Sequence, residues 1–575
     1  MKTWSELAAE IVECGNEKQA FRNSRLDGSG AIPLLVLSGS PYECGLAYGV
    51  LMHTEAMAVY GLFARLRDSY ISRLPVVKRF FAPGYLHRFG EAFERKSPRP
   101  YVDEMKGFAE GAGIAYDEVL FLSSGAGLLS PACFVAFASS ANQTGMLHGR
   151  NFDFKPFELG KHPILVRYEP ESGVPYWNLS VVGYLPSFNG WNEAGLSVAI
   201  NISNMPDGKV SGMPTGWKVR EILASAKTII EARNVIASIP NEKASYTLSV
   251  GSAREKSGMM FDLFSEEKAE TLWSGGKPRI ALNRIFCDGR YEADGLASKH
   301  TAAYEALSEL NVERAKSAQR FFSSTLPDSP EKMIALLRDR SFPLAPGLFE
   351  TDYGAISNEY TLFSIVFDCA RGMVFIATGC DHAPARGWSV LNFNTRTLSP
   401  FLAEEPYLDS PEFKAWAERH YRVAELIQAG NLDAKTLPQG LGPYELAHVI
   451  YMAKASDPIV SSKVGLERLL QTAEGLRAEY PGLWAPEFWA GFCLQSLGDF
   501  TAAANCYQRC LELKPAAPNG LDALHRLAQC LYKSGDRPGA RDAASSFLSL
   551  ADECKKSCSI AYLRPQCDEM RKLAK

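Results

Sequence analysis

The 575-residue chain contains no run of about 18 apolar residues, the length that a membrane-spanning helix needs. Its first residues, Met1–Leu7, do not lead into the apolar core of a secretory signal. We therefore expect no membrane span and no cleaved leader. The 13 cysteines are odd in number. In a chain without a visible leader, this favours reduced thiols and a cytoplasmic location.

A strong net charge is also missing. The chain has 61 basic and 65 acidic residues, which gives a formal charge of −4. This small imbalance provides no general attraction to polyanions. We therefore expect neither a nucleic-acid partner nor a membrane partner. One basic and aromatic stretch, Lys78–Phe89, is interpreted as a helix face rather than a phosphate site.

Histidine is scarce as well. Only His148 of the nine histidines lies inside a motif, and no histidine motif has the pattern of a papain-like cysteine protease. This disfavours a conventional cysteine–histidine protease. The loose cluster Cys554, Cys558 and Cys567 has no paired C-x-x-C motif beside it, so we expect no metal site and no cofactor.

The most informative segment is a predicted hairpin that begins at Cys133. An apolar run after this cysteine reaches a glycine-containing turn at Asn142–Gly145, and a second strand then carries Arg150 and Asp153. The hairpin thus combines a thiol, a guanidinium group and a carboxylate. These groups can form a nucleophilic site that cleaves amides.

Motifs along most of the chain resemble those of N-terminal-nucleophile hydrolases, specifically the penicillin acyltransferase-like family. The matching segments, in chain order, are Gly39–Gly45, Met105–Gly113, Gly149–Asp153, Phe188–Val198, Ile280–Phe286, Thr361–Asp368 and Met373–Gly379. The resemblance covers roughly residues 30–400. Its strength lies in the order and spacing of the motifs, because each motif alone is weak.

The resemblance implies that the chain cuts itself before Cys133, which exposes a new α-amino group. An unperturbed thiol has a pKa of about 8.5, whereas an α-amino group has a pKa of about 7.7–8.0. The amine can therefore take the thiol proton without a histidine. Arg150 and Asp153 would tune the amine and the thiolate. Asn192 and Asn283 would offer N–H donors to the tetrahedral oxyanion.

The site residues also have simpler interpretations. A lone cysteine on an apolar strand is usually a small buried residue. Arg150 and Asp153 could form a structural ion pair. Asn192 and Asn283 could be turn residues. Residue Ala132 departs from the glycine often seen before the cut, and alanine tolerates positive φ less well. This departure bears on the efficiency of self-cleavage more than on the fold.

The patterns predict an α+β fold: a four-layer αββα N-terminal-nucleophile hydrolase sandwich followed by an all-α helical-repeat domain. Residues 1–132 would form a pro-segment, with helix and loop over residues 1–30. Residues 133–400 would form the catalytic domain. Residues 411–575 read as tetratricopeptide-like helices, because small and aromatic residues such as Gly491, Ala503 and Tyr507 fall at the repeat positions. A generic helical hairpin is the alternative.

We expect an autoproteolytic cysteine amidohydrolase or acyltransferase that acts on small N-acyl substrates through a thioester. The alternative is a catalytically silent scaffold that captures a protein or peptide partner through its repeats. The joint presence of Cys133, Arg150 and Asp153 favours the enzyme. The sequence does not choose between hydrolysis and acyl transfer, because that choice depends on water exclusion from the pocket.

Overall fold

A computed structural model describes residues 3–15, 17–72, 76–125, 133–141, 145–154, 157–203, 212–239, 245–263, 268–282, 285–287, 290–291, 309–342, 348–349, 351, 354–429, 433–452, 458–515, 517–555 and 563–575. The chain divides into two compact units. The first comprises Met1–Asp294, Ala318–Asp339 and Ile356–Glu405. The second comprises Gly295–Ser317, Arg340–Ala355 and Pro406–Lys575.

All strands of the described residues belong to two sheets. In chain order they are β1 Val12–Gly15, β2 Lys18–Phe21, β3 Ser24–Asp27, β4 Leu34–Ser38, β5 Cys133–Ser139, β6 Met146–Asp153, β7 Pro163–Glu169, β8 Tyr176–Val181, β9 Asn189–Asn192, β10 Leu196–Ser203, β11 Ser245–Ser252, β12 Ser257–Leu263, β13 Lys268–Trp273, β14 Arg279–Ala281, β15 Ile285–Cys287, β16 Arg290–Tyr291, β17 Thr361–Asp368, β18 Met373–Thr378, β19 Trp388–Asn392 and β20 Thr397–Leu402.

The α-helices of the described residues lie before, between and after these strands. They are α1 Trp4–Ala8, α2 Pro41–Leu51, α3 His53–Ser72, α4 Val76–Lys96, α5 Arg99–Ala112, α6 Tyr116–Gly125, α7 Thr215–Ser225, α8 Ile229–Ser238, α9 Glu309–Ser324, α10 Pro330–Leu337, α11 Pro411–Ala429, α12 Pro443–Met452, α13 Pro458–Ser461, α14 Lys463–Glu479, α15 Trp484–Leu497, α16 Phe500–Glu512, α17 Ala517–Ser534, α18 Arg537–Lys555 and α19 Arg564–Leu573. None of the described helices is long and apolar enough to cross a membrane.

The first unit is a layered αββα structure, and the predicted α+β class is confirmed. The 11-stranded sheet has the order β1-β2-β3-β4-β7-β8-β9-β10-β11-β12-β13, and the 9-stranded sheet has the order β16-β15-β14-β5-β6-β17-β18-β19-β20. The two sheets meet where β5 and β6 contact β10 and β11. Helices α2, α7 and α8 cover the larger sheet, and α10 covers β6 and β17 of the smaller one.

The core between the sheets explains why β5 lies where it does. Val135 and Phe137 of β5 alternate with residues of the opposite face and pack against Ala199 and Met260 of the larger sheet. Cys133 shares the face of Val135 and Phe137, so its side chain also points towards the larger sheet.

The prediction for residues 1–30 is wrong in part. A short helix is present at α1, but β1, β2 and β3 form antiparallel strands where a loop was expected. These strands extend the larger sheet because β3 pairs with β4. All four residues of β1 are exposed, and β2 and β3 each have a single buried residue, so the three strands lack the apolar alternation that identifies a strand in sequence.

The segment before Cys133 is built into the first unit rather than attached to its surface. Strand β4 pairs in parallel with β7, from Leu34 opposite Leu165 to Ser38 opposite Glu169. Glu104 of α5 forms a buried ion pair with Arg220 of α7, in which Arg220 Nη2 lies 2.9 Å from Glu104 Oε2. The two segments therefore share a sheet and a buried charge pair.

Helices α2 and α5 approach each other closely through glycine. A Cβ atom added to Gly107 of α5 would lie 2.1 Å from the Tyr42 carbonyl oxygen, and one added to Gly45 of α2 would lie 1.9 Å from the Glu104 carbonyl oxygen. Only a residue without a side chain permits this spacing.

The second unit is helical after Pro406 in the residues that the structure describes. Helices α15 and α16 pack closely, because a Cβ atom added to Gly491 would lie 2.9 Å from the Tyr507 ring. Tyr507 is fully buried in a core that also contains Ala503 and Phe547. Paired helices are therefore present where the repeats were predicted. Their assignment as tetratricopeptide repeats stays a prediction.

Candidate active site

Cys133 is the first residue of β5 and is fully buried. The predicted hairpin is confirmed for its two strands, which pair antiparallel with Cys133 opposite Phe152 and Ser139 opposite Met146. Of the predicted turn, only Gly145 lies within the described residues. This register places Arg150, two residues before Phe152, on the same face of the sheet as the thiol.

Arg150 lies directly beside the thiol. Its Nη2 atom donates to Cys133 Sγ at 3.5 Å and to the Ile200 carbonyl oxygen at 2.6 Å. Its Nη1 atom donates to the Phe188 carbonyl oxygen. The guanidinium group is thus held by the larger sheet and the segment before β9. It is fully buried, and burial lowers its pKa, whereas Cys133 and Asp153 raise it.

Opposing effects act on the pKa of the Cys133 thiol. Burial raises the pKa of the thiol and is the largest effect, and the Asp153 carboxylate raises it further. The Arg150 guanidinium and the backbone N–H of Asp153 lower it, because both stabilise a thiolate. The net pKa is above the ordinary thiol value. The thiol therefore needs a base to react rapidly at neutral pH.

Asp153 ends β6 and is fixed by residues that are distant in sequence. Asn358 Nδ2 donates to Asp153 Oδ2 at 2.9 Å, and Thr361 Oγ1 donates to Asp153 Oδ1 at 2.7 Å. All three residues are fully buried. The sequence reasoning did not identify Asn358 or Thr361, although Thr361 begins a segment that resembles the family pattern.

The hydrogen bonds of Asn192 hold its side chain at the end of α7 and at the start of β10. Its Nδ2 atom donates to the carbonyl oxygens of Leu223 at 2.9 Å and Ala226 at 2.8 Å, and its Oδ1 atom accepts from the Leu196 N–H at 3.0 Å. Both amide hydrogens therefore satisfy the C-terminal end of α7, and neither is left for an oxyanion. The geometry supports the alternative interpretation, in which Asn192 is a structural residue at the turn into β10.

Asn283 lies outside the described residues, but the segment before it is held by a residue next to the Arg150 contact. Asn201 Nδ2 donates to the carbonyl oxygens of Ala281, at 3.4 Å, and Leu282, at 2.5 Å. Asn201 follows Ile200, whose carbonyl oxygen accepts from Arg150. One stretch of β10 thus positions both the guanidinium group and the chain that leads to Asn283.

His148 lies two residues before Arg150 and does not pair with Cys133. Its Nδ1 atom is 2.9 Å from Ser197 Oγ, and its Nε2 atom is 3.4 Å from Ser249 Oγ. The ring packs edge-on against Phe137, 4.6 Å between centroids. Burial lowers the pKa of His148 to about 3, with the Arg150 charge adding to the effect. His148 is therefore an uncharged link between the sheets.

An apolar pocket adjoins these residues. Helices α3 and α6 contribute Val59, Phe63 and Leu122 to it. The rings of Phe152, Phe154 and Phe188 also line it. The remaining lining residues are aliphatic apart from Tyr184, and no described side chain that lines the pocket carries a charge. Its interior has a volume of about 10 Å³, which is room for about one water molecule. We call this site the apolar pocket.

The described side chains include no candidate metal site. No cluster of three or more histidine, cysteine, aspartate or glutamate residues there has the arrangement of a metal site. The chemistry available at Cys133 is that of the thiol, its cationic neighbour Arg150 and the backbone.

Residues 140–382 match the family model of acyl-coenzyme A:6-aminopenicillanic acid acyl-transferase. This region is similar to the penicillin acyltransferase family. The resemblance predicted from the sequence motifs is confirmed for it. The matched residues include Arg150 and Asp153 of the site, whereas Cys133 lies just before them.

Curated proteins that are similar to this chain have low sequence identity to it. Protein dcd1B of Dictyostelium discoideum is 24% identical over 289 residues, which cover 46% of this chain and 58% of that protein. Protein dcd1A of the same organism is 26% identical over 231 residues, 36% of this chain and 52% of that protein. An uncharacterised protein of Archaeoglobus fulgidus is 25% identical over 267 residues, 41% of this chain and 44% of that protein. The chain spans about half the length of these relatives.

Solved structures similar to this chain include two hydrolases. One is the Caenorhabditis elegans orthologue of N-acylethanolamine-hydrolyzing acid amidase, with 16% identity, a TM-score of 0.26 and coverage of 41% of this chain and 93% of that chain. The other is a mutant of conjugated bile acid hydrolase from Clostridium perfringens, with 12% identity, a TM-score of 0.27 and coverage of 47% of this chain and 96% of that chain.

Proposed function

We propose that the chain is an autoproteolytic cysteine amidohydrolase or acyltransferase that acts on small N-acyl compounds. Cys133 is the proposed nucleophile, with Arg150 and Asp153 as its electrostatic partners. One observation carries the proposal. Cys133 Sγ lies 3.5 Å from a guanidinium group that two backbone carbonyls hold in place, inside a fold region that borders the acyltransferase family match.

The first proposed reaction is self-cleavage between Ala132 and Cys133. Sγ attacks the Ala132 carbonyl carbon, the C–N bond breaks, and the α-amino group of Cys133 takes up the proton. Water then hydrolyses the resulting thioester, which leaves a carboxylate on Ala132 and a free thiol. Ala132 lies outside the described residues, so this step rests on the placement of Cys133 at the start of β5.

The second proposed reaction is turnover of the substrate. The new α-amino group takes the thiol proton, and the thiolate attacks the substrate carbonyl carbon. The amine leaves with a proton, and the acyl group remains on sulfur as a thioester. Water releases it as an acid, or a second amine accepts it as a new amide. Arg150 stabilises the thiolate, and Asn283 is the remaining proposed donor to the oxyanion.

None of the histidines that the structure describes pairs with the thiol, which is consistent with this use of the amine. Among the side chains described around Cys133, the hydrogen-bonding partner is Arg150, and His148 is bound to Ser197 and Ser249 instead. A guanidinium group cannot accept the thiol proton. The base that the raised thiol pKa calls for is therefore supplied by the freed chain end.

Intact mass and N-terminal sequencing of the purified chain test the proposal. We expect two chains, one beginning at Cys133, and hydrolysis of a small N-acyl aminocoumarin amide. Cys133→Ala should abolish both reactions, whereas Cys133→Ser should retain slow cleavage because a hydroxyl is a poorer nucleophile near neutral pH. Cys369→Ala is the matched control, since Cys369 is a free cysteine of the same unit. A single uncut 63.2 kDa chain without amidase activity would contradict the proposal.

The proposed location and partners follow from the same features. The ten cysteines whose side chains are described are free thiols, which supports a reducing compartment such as the cytoplasm. The proposed substrate is a small molecule. The helices of the second unit are proposed as the site of a protein or peptide partner, and no catalytic residue is proposed there.

A further inference from the structure

We infer that the segment before Cys133 holds the Arg150 guanidinium group at the thiol, and that Tyr48 and Tyr60 are the positioning residues through which it acts. The inference rests on the proposed function, to which it adds a role for residues 1–132 after the proposed cut. The connection runs through residues 182–188, which join β8 to β9. We call these residues the Gly183 loop.

The Gly183 loop ends at the arginine. Its last residue, Phe188, presents its carbonyl oxygen to Arg150 Nη1. The same oxygen accepts from the Ile200 N–H at 2.9 Å, and the Ile200 carbonyl oxygen accepts from Arg150 Nη2 at 2.6 Å. The two carbonyls that orient the cation are therefore tied to each other. A displacement of Phe188 would change the position of Arg150 Nη2 at Cys133 Sγ.

The other end of the Gly183 loop is held by two helices that precede the proposed cut. The Gly183 N–H donates to Tyr48 Oη of α2 at 3.0 Å, and Tyr60 Oη of α3 donates to the Gly183 carbonyl oxygen at 3.1 Å. Tyr48 is 1% exposed and Tyr60 is 6% exposed. Loss of either hydroxyl would leave a buried backbone group of Gly183 unpaired, which is costly. The segment before Cys133 thus fixes both backbone groups of this residue.

Packing also couples Gly183 to these helices. Its φ is +80°, a conformation that favours glycine, and an added Cβ atom would lie 2.7 Å from Tyr60 Cε2 and 3.3 Å from Phe108 Cζ. The loop backbone therefore lies directly against side chains of α3 and α5. A change in the position of these rings requires a change in the loop.

The middle of the Gly183 loop is held as well, so it transmits a displacement instead of absorbing it. Arg220 Nη1 donates to the Leu185 carbonyl oxygen at 3.2 Å and to Glu104 Oε1 of α5 at 3.0 Å. The Tyr184 ring stacks on the Phe188 ring, with centroids 4.2 Å apart and an angle of 5° between the planes. Every residue of the loop is buried. A closely packed loop of this kind moves as a unit.

The expected effect of releasing Gly183 is on the chemical step. A displaced guanidinium group stabilises the Cys133 thiolate less, so the pKa of the thiol rises and less thiolate forms at a given pH. A misplacement of about 1 Å that originates far from the reacting atoms can lower the rate by about a hundredfold. Because Tyr48 and Tyr60 act through Arg150, their loss should lower kcat and leave KM unchanged.

A double variant, Tyr48→Phe with Tyr60→Phe, removes both hydroxyls and keeps both rings. For a small N-acyl aminocoumarin amide we expect kcat to fall by about tenfold to a hundredfold, with KM unchanged. Tyr42→Phe is the matched control, since Tyr42 also lies on α2 but its hydroxyl donates to Glu110 Oε2 at 2.6 Å, within the segment before the cut. It should leave kcat unchanged. A rise in KM at constant kcat in the double variant, or an equal loss of kcat in Tyr42→Phe, would overturn the inference.

The pH profile of Cys133 labelling by iodoacetamide, read by peptide mass spectrometry, tests the route through Arg150. The double tyrosine variant should move the profile to higher pH, in the same direction as Arg150→Gln. In the Arg150→Gln background the two tyrosine substitutions should move it no further, because the group on which they act is gone. A further shift of the same size in that background would show that the tyrosines act on the fold in general, and would overturn the inference.

The labelling experiment also separates the inference from the proposed function, because it needs no substrate. If no amide is hydrolysed but the profile depends on Tyr48 and Tyr60 only while Arg150 is present, the proposed function fails and the positioning of Arg150 stands. If amides are hydrolysed but the double variant matches Tyr42→Phe, the inference fails alone. If the double variant does not fold, Tyr48→Phe and Tyr60→Phe singly carry the same test, each with a smaller shift in the same direction. A wild-type Cys133 that is labelled at no pH, in a chain without amidase activity, would overturn both.

Discussion

The single Arg150 side chain connects three parts of the site. It donates to the thiol of Cys133 and to two backbone carbonyls, those of Phe188 and Ile200. A planar guanidinium group can reach several acceptors at fixed angles, whereas the ammonium group of lysine is a single point charge. Arg150 thus provides both charge and geometry at the site.

We expect Arg150→Lys and Arg150→Gln each to lower kcat/KM by about a hundredfold or more, because neither can reproduce the three contacts. The pH profile of Cys133 alkylation separates the two causes. Arg150→Gln should move it to higher pH, since a stabilising positive charge is lost, while Arg150→Lys should move it less. Full activity of Arg150→Lys in a folded protein would contradict the geometric role.

The lowered pKa of His148 makes the free energy of unfolding depend on pH. Its pKa is about 3 in the folded protein, below the ordinary value of 6.5. As the pH falls, the His148 ring is therefore protonated in the unfolded chain at a higher pH than in the folded protein. The stability associated with the neutral ring is complete above about pH 6.5 and is lost as pH falls towards 3, by up to about 1.4 kcal/mol per pH unit.

Urea unfolding at pH 7, 5 and 4 measures this effect. The loss of stability on acidification should be smaller in His148→Gln than in the wild type. His87→Gln is the control, because His87 is 54% exposed on α4. Parallel acid dependence of the wild type and His148→Gln would contradict the assignment of an uncharged buried His148.

At the scale of elements, the spacing of α2 and α5 depends on glycine. An alanine at Gly107 would place Cβ 2.1 Å from the Tyr42 carbonyl oxygen, and backbone cannot give way as a flexible side chain can. We expect Gly107→Ala to lower the free energy of unfolding by about 1–3 kcal/mol or more. A Cβ atom added to Gly84 of α4 would meet nothing within 4 Å, so Gly84→Ala should raise stability by about 0.5–1 kcal/mol. Equal effects of the two substitutions in urea unfolding would contradict this account.

The sequence predicted best those elements whose pairing partners are close along the chain. The strands of the Cys133 hairpin follow from an apolar run and a glycine turn, and their register then places Arg150 beside the thiol. Strands β1–β3 were missed because each is short and has at most one buried residue, which leaves no apolar alternation in the sequence. They are strands because β4 offers a partner, which is a tertiary contact.

The remaining site residues depend on contacts between distant segments. Asn192 had the residue type of an oxyanion donor, but the end of α7 uses both of its amide hydrogens. Asn358 holds Asp153 from 205 residues away, and Asn201 reads in sequence only as an ordinary strand asparagine. No local pattern reports such pairings, so they required the structure.

For the whole molecule, the proposed cut should not separate its products. The segment ending at Ala132 and the chain beginning at Cys133 share the β4–β7 pairing and the Glu104–Arg220 ion pair. We expect the two chains to elute together in size-exclusion chromatography and to separate only in denaturant. Separation in native buffer would contradict this expectation.

The Glu104–Arg220 pair can be tested directly. Glu104→Gln leaves the Arg220 charge buried without its carboxylate, and this should cost about 3–5 kcal/mol of stability. Asp103→Asn on the same helix removes the exposed pair with Arg99 and should cost less than about 1 kcal/mol. Thermal unfolding of both variants measures the difference. Similar losses would show that the buried pair has no special weight.

The hydrogen bond from Thr361 to Asp153 has a consequence for the timing of maturation. These residues are separated by 208 positions, and Thr361 belongs to the strand that flanks β6. A ribosome adds about 5–20 residues per second, so β6 waits roughly 10–40 s for this neighbour after it has been synthesised. A nascent chain halted before Thr361 would hold Cys133 and Arg150 with one flank of their sheet missing. If the proposed cut occurs, the bond before Cys133 should stay intact on the ribosome until the closing strands have emerged, and cleavage would then mark the completion of the fold.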